Sequence, residues 1–193
     1  MDRLALLLTA TGMEAPEDRS RTLASAQAGD LAAFERLMRQ HERMVLATAW
    51  RLLGNREDAK DAAQEVFLRL YRNLKKVEAA ENFAGWLYRV TVNVCHDQQR
   101  RRPITVELTD LPAASAGPHQ EMAEAERRRV LELSLRMLPE KERAALVLRD
   151  LEGLSTSQVA RALGSSEATV RSQISKARVK VKDFVEHYFR RRT

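Results

Sequence analysis

Between Leu151 and Lys182 the chain reads LEGLSTSQVARALGSSEATVRSQISKARVKVK, and no other stretch restricts the fold as tightly. The pattern predicts two short helices that meet at Gly164. Val159, Ala160 and Leu163 give the first an apolar side at helical spacing. Ala160 is small, as a close helix crossing requires. Gly164 accepts the left-handed conformation that ends a helix at little cost. Ser165 or Ser166 then caps the second helix, and Glu167 complements its N-terminal dipole. Val170, Ile174, Ala177 and Val181 mark the buried side of that helix. Arg171, Ser172, Ser175, Lys176 and Lys182 fall on its other faces.

Thr156 to Ser175 therefore forms a helix-turn-helix unit whose second helix presents Arg, Ser and Lys. Such a helix suits the DNA major groove, where Arg reads guanine with two hydrogen bonds and Lys neutralises phosphate. A merely solvated basic helix would have the charges without the small Ala, the Gly at the turn and the following Val at fixed offsets.

The rest of the chain predicts an all-α fold of two small helical domains joined by a linker. Its 193 residues suffice for one large or two small domains, and with 7 Gly and 5 Pro it has few breakers. No segment alternates as a strand does. A net charge of +6 and a pI near 9.8 favour a polyanionic partner. Cys95 is the only cysteine, which excludes an intrachain disulfide and a Cys-based metal site. His41, His96, His119 and His187 show no ligand spacing, and neither a glycine-rich phosphate loop nor a paired-acid site occurs. No catalytic residue, metal or cofactor is expected. Leu4–Ala10 is too short to span a membrane and lacks a cleavage site, so the chain is expected to be cytoplasmic, without stable membrane insertion.

In chain order, residues 1–25 read as a loosely ordered N-terminal extension and 26–102 as the first helical domain. Asp30 should cap a helix that Gly54-Asn55 stops, with Leu31, Phe34, Leu37, Met38, Val45 and Leu52 as its apolar stripe. The next helix, from about Arg56, has two faces. Ala63, Val66, Phe67, Leu70 and Leu74 follow core spacing. Asp61, Gln64, Glu65 and Leu68 repeat that spacing about half a turn away. An acidic face with one apolar residue, in a basic protein, points to a protein partner rather than to DNA. After a loop with Lys75 and Lys76, a helix from Phe83 to Arg102 should bury Trp86, Leu87, Val90 and Val94. Arg89, Asn93, Asp97 and Arg100 line another side, and with the lysine-bearing loop they offer a second nucleic-acid contact, suited to single-stranded DNA. Residues 103–122 lose helical periodicity, gain Pro, Ala, Ser and Gly, and read as the linker. The second helical domain is expected over 123–193, with Pro139 at the first turn of a helix that runs through Leu151.

The motifs Asp61-Ala-Ala-Gln64-Glu65-Val-Phe67, Phe83-Ala-Gly-Trp86-Leu87-Tyr88-Arg89-Val-Thr-Val-Asn93 and Leu163-Gly164 with Thr169-Val170-Arg171-Ser172 together resemble those of bacterial sigma factors of the sigma-70 family. With no further module between the two domains, the chain is similar to the extracytoplasmic-function group. The likeness runs from about Asp30 to Lys182. It implies a transcription initiation factor that binds core RNA polymerase, through its β′ and β subunits, and directs it to promoter DNA. Asp61, Gln64, Glu65 and Leu68 would bind the polymerase. Lys75, Lys76, Asn82, Trp86, Arg89, Asn93 and Arg100 would handle the melted −10 element, and Thr169, Arg171, Ser172, Ser175, Lys176 and Arg178 the −35 duplex. The resemblance also implies a cognate anti-sigma factor. Ala168 stands where family members commonly carry Gly, and Gln173 where they often carry Arg. A conventional dimeric repressor or activator is the alternative, separable by a symmetric footprint on a palindrome. A purely structural helical adaptor would bind no specific DNA.

Overall fold

The computed structural model describes residues 16–77, 83–101 and 119–191, and among these there is no β-strand. Helix α1 spans Pro16–Gln27, α2 Leu31–Leu53, α3 Arg56–Asn73 and α4 Phe83–Arg101. A short 3-10 turn, Leu74–Lys76, follows α3. Helices α5 (His119–Arg136), α6 (Glu140–Leu146), α7 (Thr156–Leu163) and α8 (Glu167–Arg190) form the second group, with a widened π turn at Val147–Leu151 after α6.

The helix ends follow from local chemistry. Asp30 caps α2 by accepting from the Ala32 and Ala33 amides at 2.9 and 3.2 Å. Gly54 ends that helix in the left-handed region, φ 70°. Asn55 restarts the chain by capping α3. Along α3, Ala63, Val66, Phe67, Leu70 and Leu74 are all buried, as their spacing predicts.

Three expectations change. Residues 16–25 do not belong to a loose extension: α1 is helical there, buries Thr22, Leu23 and Ala26, and packs on α2. Gln27 fastens its end by donating to the Leu74 and Val77 carbonyls, both at 3.0 Å. Leu31, assigned to the stripe of α2, is exposed, while Ala33 in the same turn takes the buried side. The π turn interrupts a helix expected to run unbroken to Leu151. The linker expected at 103–122 falls largely outside the described residues.

Helices α1 to α4 pack around α2, and α5 to α7 pack on α8. The two groups also meet. Helix α4 lies on α7, and α2 touches α5, α6 and the π turn. One apolar cluster runs from Leu23 to Ala177 through both groups. Burial on α4 accordingly extends round half its circumference: Phe83, Leu87, Thr91 and Val94 are buried as its core side, and Tyr88, Val92 and Cys95 beside them.

Candidate protein and nucleic-acid interfaces

On α3, Asp61 and Gln64 are exposed and Glu65 is half-buried. Leu68 keeps 49% of its surface in solvent and Tyr71, one turn on, 56%. Exposed apolar groups of that size beside carboxylates mark a binding surface more than they mark solubility. Tyr71 stands edge-on to Phe34 of α2, with ring centroids 5.3 Å apart. Glu65 Oε1 accepts from Arg69 Nε at 2.8 Å. Arg69 also reaches Asp97 Oδ2 of α4 at 3.4 Å, and Asp97 Oδ1 accepts from Arg100 at 2.6 Å. Glu65, Arg69, Val94, Asp97, Gln98 and Arg101 line a cleft of about 270 Å³ between the two helices. The Arg100 and Arg69 guanidinia hold the Asp97 carboxyl below its ordinary pKa, so it stays ionised there.

Helix α4 presents Arg89, Asn93 and Arg100 outward, with Trp86 half-buried and Lys75 and Lys76 exposed on the 3-10 turn. Asn82 lies outside the described residues. Asp97 shares this side of the helix, so the face carries a carboxylate among its cations and Arg100 begins with a partner.

The helix-turn-helix is held by interlocking caps. Ser155 Oγ accepts from the Gln158 amide at 3.2 Å while Gln158 Oε1 accepts from the Ser155 amide at 2.7 Å. Gly164, φ 59°, turns the chain. Of the two candidate caps, Ser166 is the one used: its Oγ accepts from the Thr169 amide at 3.1 Å. Val170, Ile174 and Ala177 then bury one side of α8. Thr169, Arg171, Ser172, Ser175, Lys176 and Arg178 are all exposed. Their situations differ. Arg171 donates to Glu167 one turn earlier at 2.6 Å, a pair that both residues expose to solvent. Arg178 makes two bonds to Asp150, at 2.8 and 2.7 Å. Arg178 sits about 17 Å along the axis from the start of α8, and Asp150 engages it there. Lys180 is held in the same way by Glu142. Among the described residues no cluster of metal-ligating side chains occurs, and no helix is long and apolar enough to cross a membrane.

Sequence reasoning did not single out Tyr71 and placed Leu31 in the stripe of α2; both are exposed. The clue was present at Tyr71, which falls one turn from Leu68 on a helix whose core side was already full.

Residues 37–103 match the family described as Sigma-70 region 2, and residues 128–181 match Sigma-70, region 4. An ECF RNA polymerase sigma factor, SigE of Mycolicibacterium smegmatis, is 34% identical over 182 residues, spanning 90% of this chain and 70% of that protein. The ECF RNA polymerase sigma-E factor of Escherichia coli K12 is 30% identical over 178 residues, spanning 86% and 93%. Among solved structures, CnrH in complex with the cytosolic domain of CnrY has a TM-score of 0.66 at 27% identity, over 88% of this chain and 98% of that one.

Matches to region 2 on one helical module and to region 4 on the other define a sigma factor of the sigma-70 family, and the chain belongs to that family. Within it the chain belongs to the extracytoplasmic-function group. It is a transcription initiation factor that binds core RNA polymerase and directs it to promoters. The region 2 match sets aside the conventional dimeric regulator, which has no such module.

Proposed function

We propose that the three exposed faces divide the work of promoter recognition between them. Asp61, Gln64, Glu65 and Leu68 bind the β′ subunit of the polymerase: carboxylates meet cations, and the exposed Leu68 adds apolar area at one end of the patch. Lys75, Lys76, Asn82, Trp86, Arg89, Asn93 and Arg100 receive the unstacked −10 strand, where cations follow the backbone and an aromatic ring stacks on a base. Thr169, Arg171, Ser172, Ser175 and Lys176 meet the −35 duplex, while Arg178 orients α8 through Asp150. Residues 103–122 tether the modules, so that the second contact becomes intramolecular once the first has formed. The chain works in the cytoplasm without catalysing a reaction of its own.

An anti-sigma factor is the proposed inhibitory partner. CnrH was solved with CnrY bound, and a sigma factor RpoE of Bartonella quintana with the anti-sigma factor NepR shares this fold, with a TM-score of 0.66 at 20% identity.

The observation that carries the reading is the exposure of an acidic, apolar-edged face on α3 and a basic face on α8, on separate modules. Co-elution with core polymerase tests it. The double substitution Asp61→Ala, Glu65→Ala should abolish co-elution yet leave the affinity of the chain for DNA alone unchanged. Retained core binding would remove the α3 face from the account.

A further inference from the structure

Residues 74–77 form a knuckle that is held from α1. Leu74 and Val77 are buried, while Lys75 and Lys76 between them are exposed. The two lysines therefore stand on a turn anchored at both ends. Within the turn, the Val77 amide donates to the Leu74 carbonyl at 3.2 Å. A 3-10 turn this short is weak by itself, because its hydrogen bonds are poorly aligned. A second hold comes from Gln27 of α1. Its Nε2 carries two hydrogens and donates to the Leu74 and Val77 carbonyls, both at 3.0 Å, so one side-chain amide bridges the two anchors.

Gln27 is itself fixed. It lies half-buried in the last turn of α1, and Gly29, φ 101°, breaks the helix just beyond it. The Gly29 amide donates to the Ala26 carbonyl at 3.0 Å and the Asp30 amide to the Ser25 carbonyl at 3.1 Å, the paired bonds of a Schellman cap. Asp30 at once caps α2. The backbone that bears Gln27 is thus clamped where two helices meet, and its side chain reaches carbonyls 47 and 50 positions further along the chain. Helix α1 precedes residues 37–103, so the support comes from outside the region 2 match.

We infer that Gln27 is a positioning residue for capture of the −10 strand: through its two carbonyl bonds it sets the place from which Lys75 and Lys76 meet the phosphates of single-stranded DNA. The inference rests on the reading that these lysines receive that strand. Two ammonium groups on a fixed turn meet phosphates without first being ordered, whereas on a loosened turn the ordering opposes binding. Both amide hydrogens of Gln27 are occupied by the carbonyls, so its effect passes through the turn. Methionine is the informative replacement, since it resembles Gln in length, neutrality and helix propensity but donates nothing.

The test measures binding of the full chain to an oligothymidine strand of about 20 nucleotides at low salt, by fluorescence anisotropy. Lys75→Ala with Lys76→Ala should lower affinity about tenfold and reduce the salt slope by about 1.4, at about 0.7 for each single-strand phosphate. Gln27→Met should lower affinity severalfold. Added to the lysine double variant, it should change nothing further, because its effect runs through those two side chains. A glutamine that only stabilises the fold would weaken binding equally in both backgrounds or in neither, and either result overturns the inference. Hydrogen exchange supplies an arm without DNA. Gln27→Met should speed exchange of the Val77 amide severalfold and leave the amides of α3 and α4 unchanged, which also shows that the helices remain folded. An unchanged Val77 rate overturns the clamp. If the lysine variant binds as the unaltered chain does, the −10 reading of the lysines falls and the inference with it. If the lysine variant alone weakens binding, only the role of Gln27 falls.

Discussion

Gly54→Ala separates what a glycine does for its own helix from what it does for the seam between the two helix groups. Its φ of 70° lies in the left-handed region, which costs an L-residue about 1–2 kcal/mol. An added Cβ would also stand 2.7 Å from Arg136 Nε and 3.2 and 3.3 Å from its Cγ and Cδ. The contacting atoms belong to a side chain that can withdraw, so the clash is relieved by giving up the Arg136 bond to the Gly54 carbonyl. A hydrogen bond to a charged donor contributes about 1.5–3 kcal/mol, at the lower end for a partly exposed pair. The substitution should therefore cost about 3 kcal/mol in total. In an Arg136→Ala background the bond and the clash are already absent, and the same change should cost only the backbone share of about 1–2 kcal/mol. Equilibrium denaturation by guanidinium, followed by circular dichroism, reads both numbers. Because one apolar cluster runs through both modules, a single transition is expected. Equal costs in the two backgrounds would refute the contact between Gly54 and Arg136.

Three further expectations concern single residues. Ser166→Ala should destabilise by about 1 kcal/mol and Ser165→Ala by far less, since only the Ser166 hydroxyl caps α8; thermal melts decide. Arg171→Ala should cost about 1–3 kcal/mol in −35 affinity and relax one base position, whereas Arg178→Ala should leave base preference intact and remove up to about 1 kcal/mol of folding stability, a contrast that binding to a panel of single-base variants displays. His96 sets a pH dependence. Burial holds its pKa below the usual 6.5; Arg100 and Lys141 push the same way, while Glu140 and Asp97 oppose. The folded chain thus binds fewer protons at this ring than the unfolded one, so stability should fall as pH drops from about 6.5 towards the folded pKa and stay level above it. His96→Gln should flatten that slope in denaturant titrations, while the carboxylates with lowered pKa, Asp97 and Asp150, act in a separate, more acidic window.

What the sequence made legible was whatever one helix encodes about itself. Asp30, Asn55, Ser166, Gly54 and Gly164 announce helix ends because capping depends on a few neighbouring residues. The two faces of α3 were legible for the same reason: periodicity alone divides Val66 and Leu70 from Asp61 and Gln64. The burial of Tyr88, Val92 and Cys95 was not, because an amphipathic pattern shows how much of a helix is apolar and not how many neighbours cover it. The stripe that spacing picks out on α4 is Trp86, Leu87, Val90 and Val94, of which Trp86 and Val90 are only partly buried. Tyr88 reaches Glu152 of the second module, 64 residues away along the chain. The charged side chains were hidden in the same way. Arg178 looks like any exposed arginine on a DNA-reading helix until Asp150 is found 28 positions earlier, and Glu152 looks like surface until Arg51, 101 positions away, is found to hold it.

The same distinction explains why the seam needs charge at all. Val92 and Cys95 supply non-directional burial, and the Cys95 thiol, pushed up to about 12 by desolvation, is as unreactive as a core methyl. Apolar area of that kind holds two modules together without fixing how they meet. Direction comes from groups that tolerate one arrangement: the carbonyls of Leu52 and Gly54 facing Arg143 and Arg136, and the carboxylate of Glu152 facing Arg51 and Tyr88. Such a seam is specific yet weakly biased, since a solvated open form recovers the hydration of every one of these groups. A purely apolar seam of equal area would close more firmly and release less readily. Replacing Arg51 and Glu152 together by Met and Leu should therefore give a chain that stays compact in small-angle scattering. If that variant instead expands, the Arg51–Glu152 pair and not the apolar area holds the modules together.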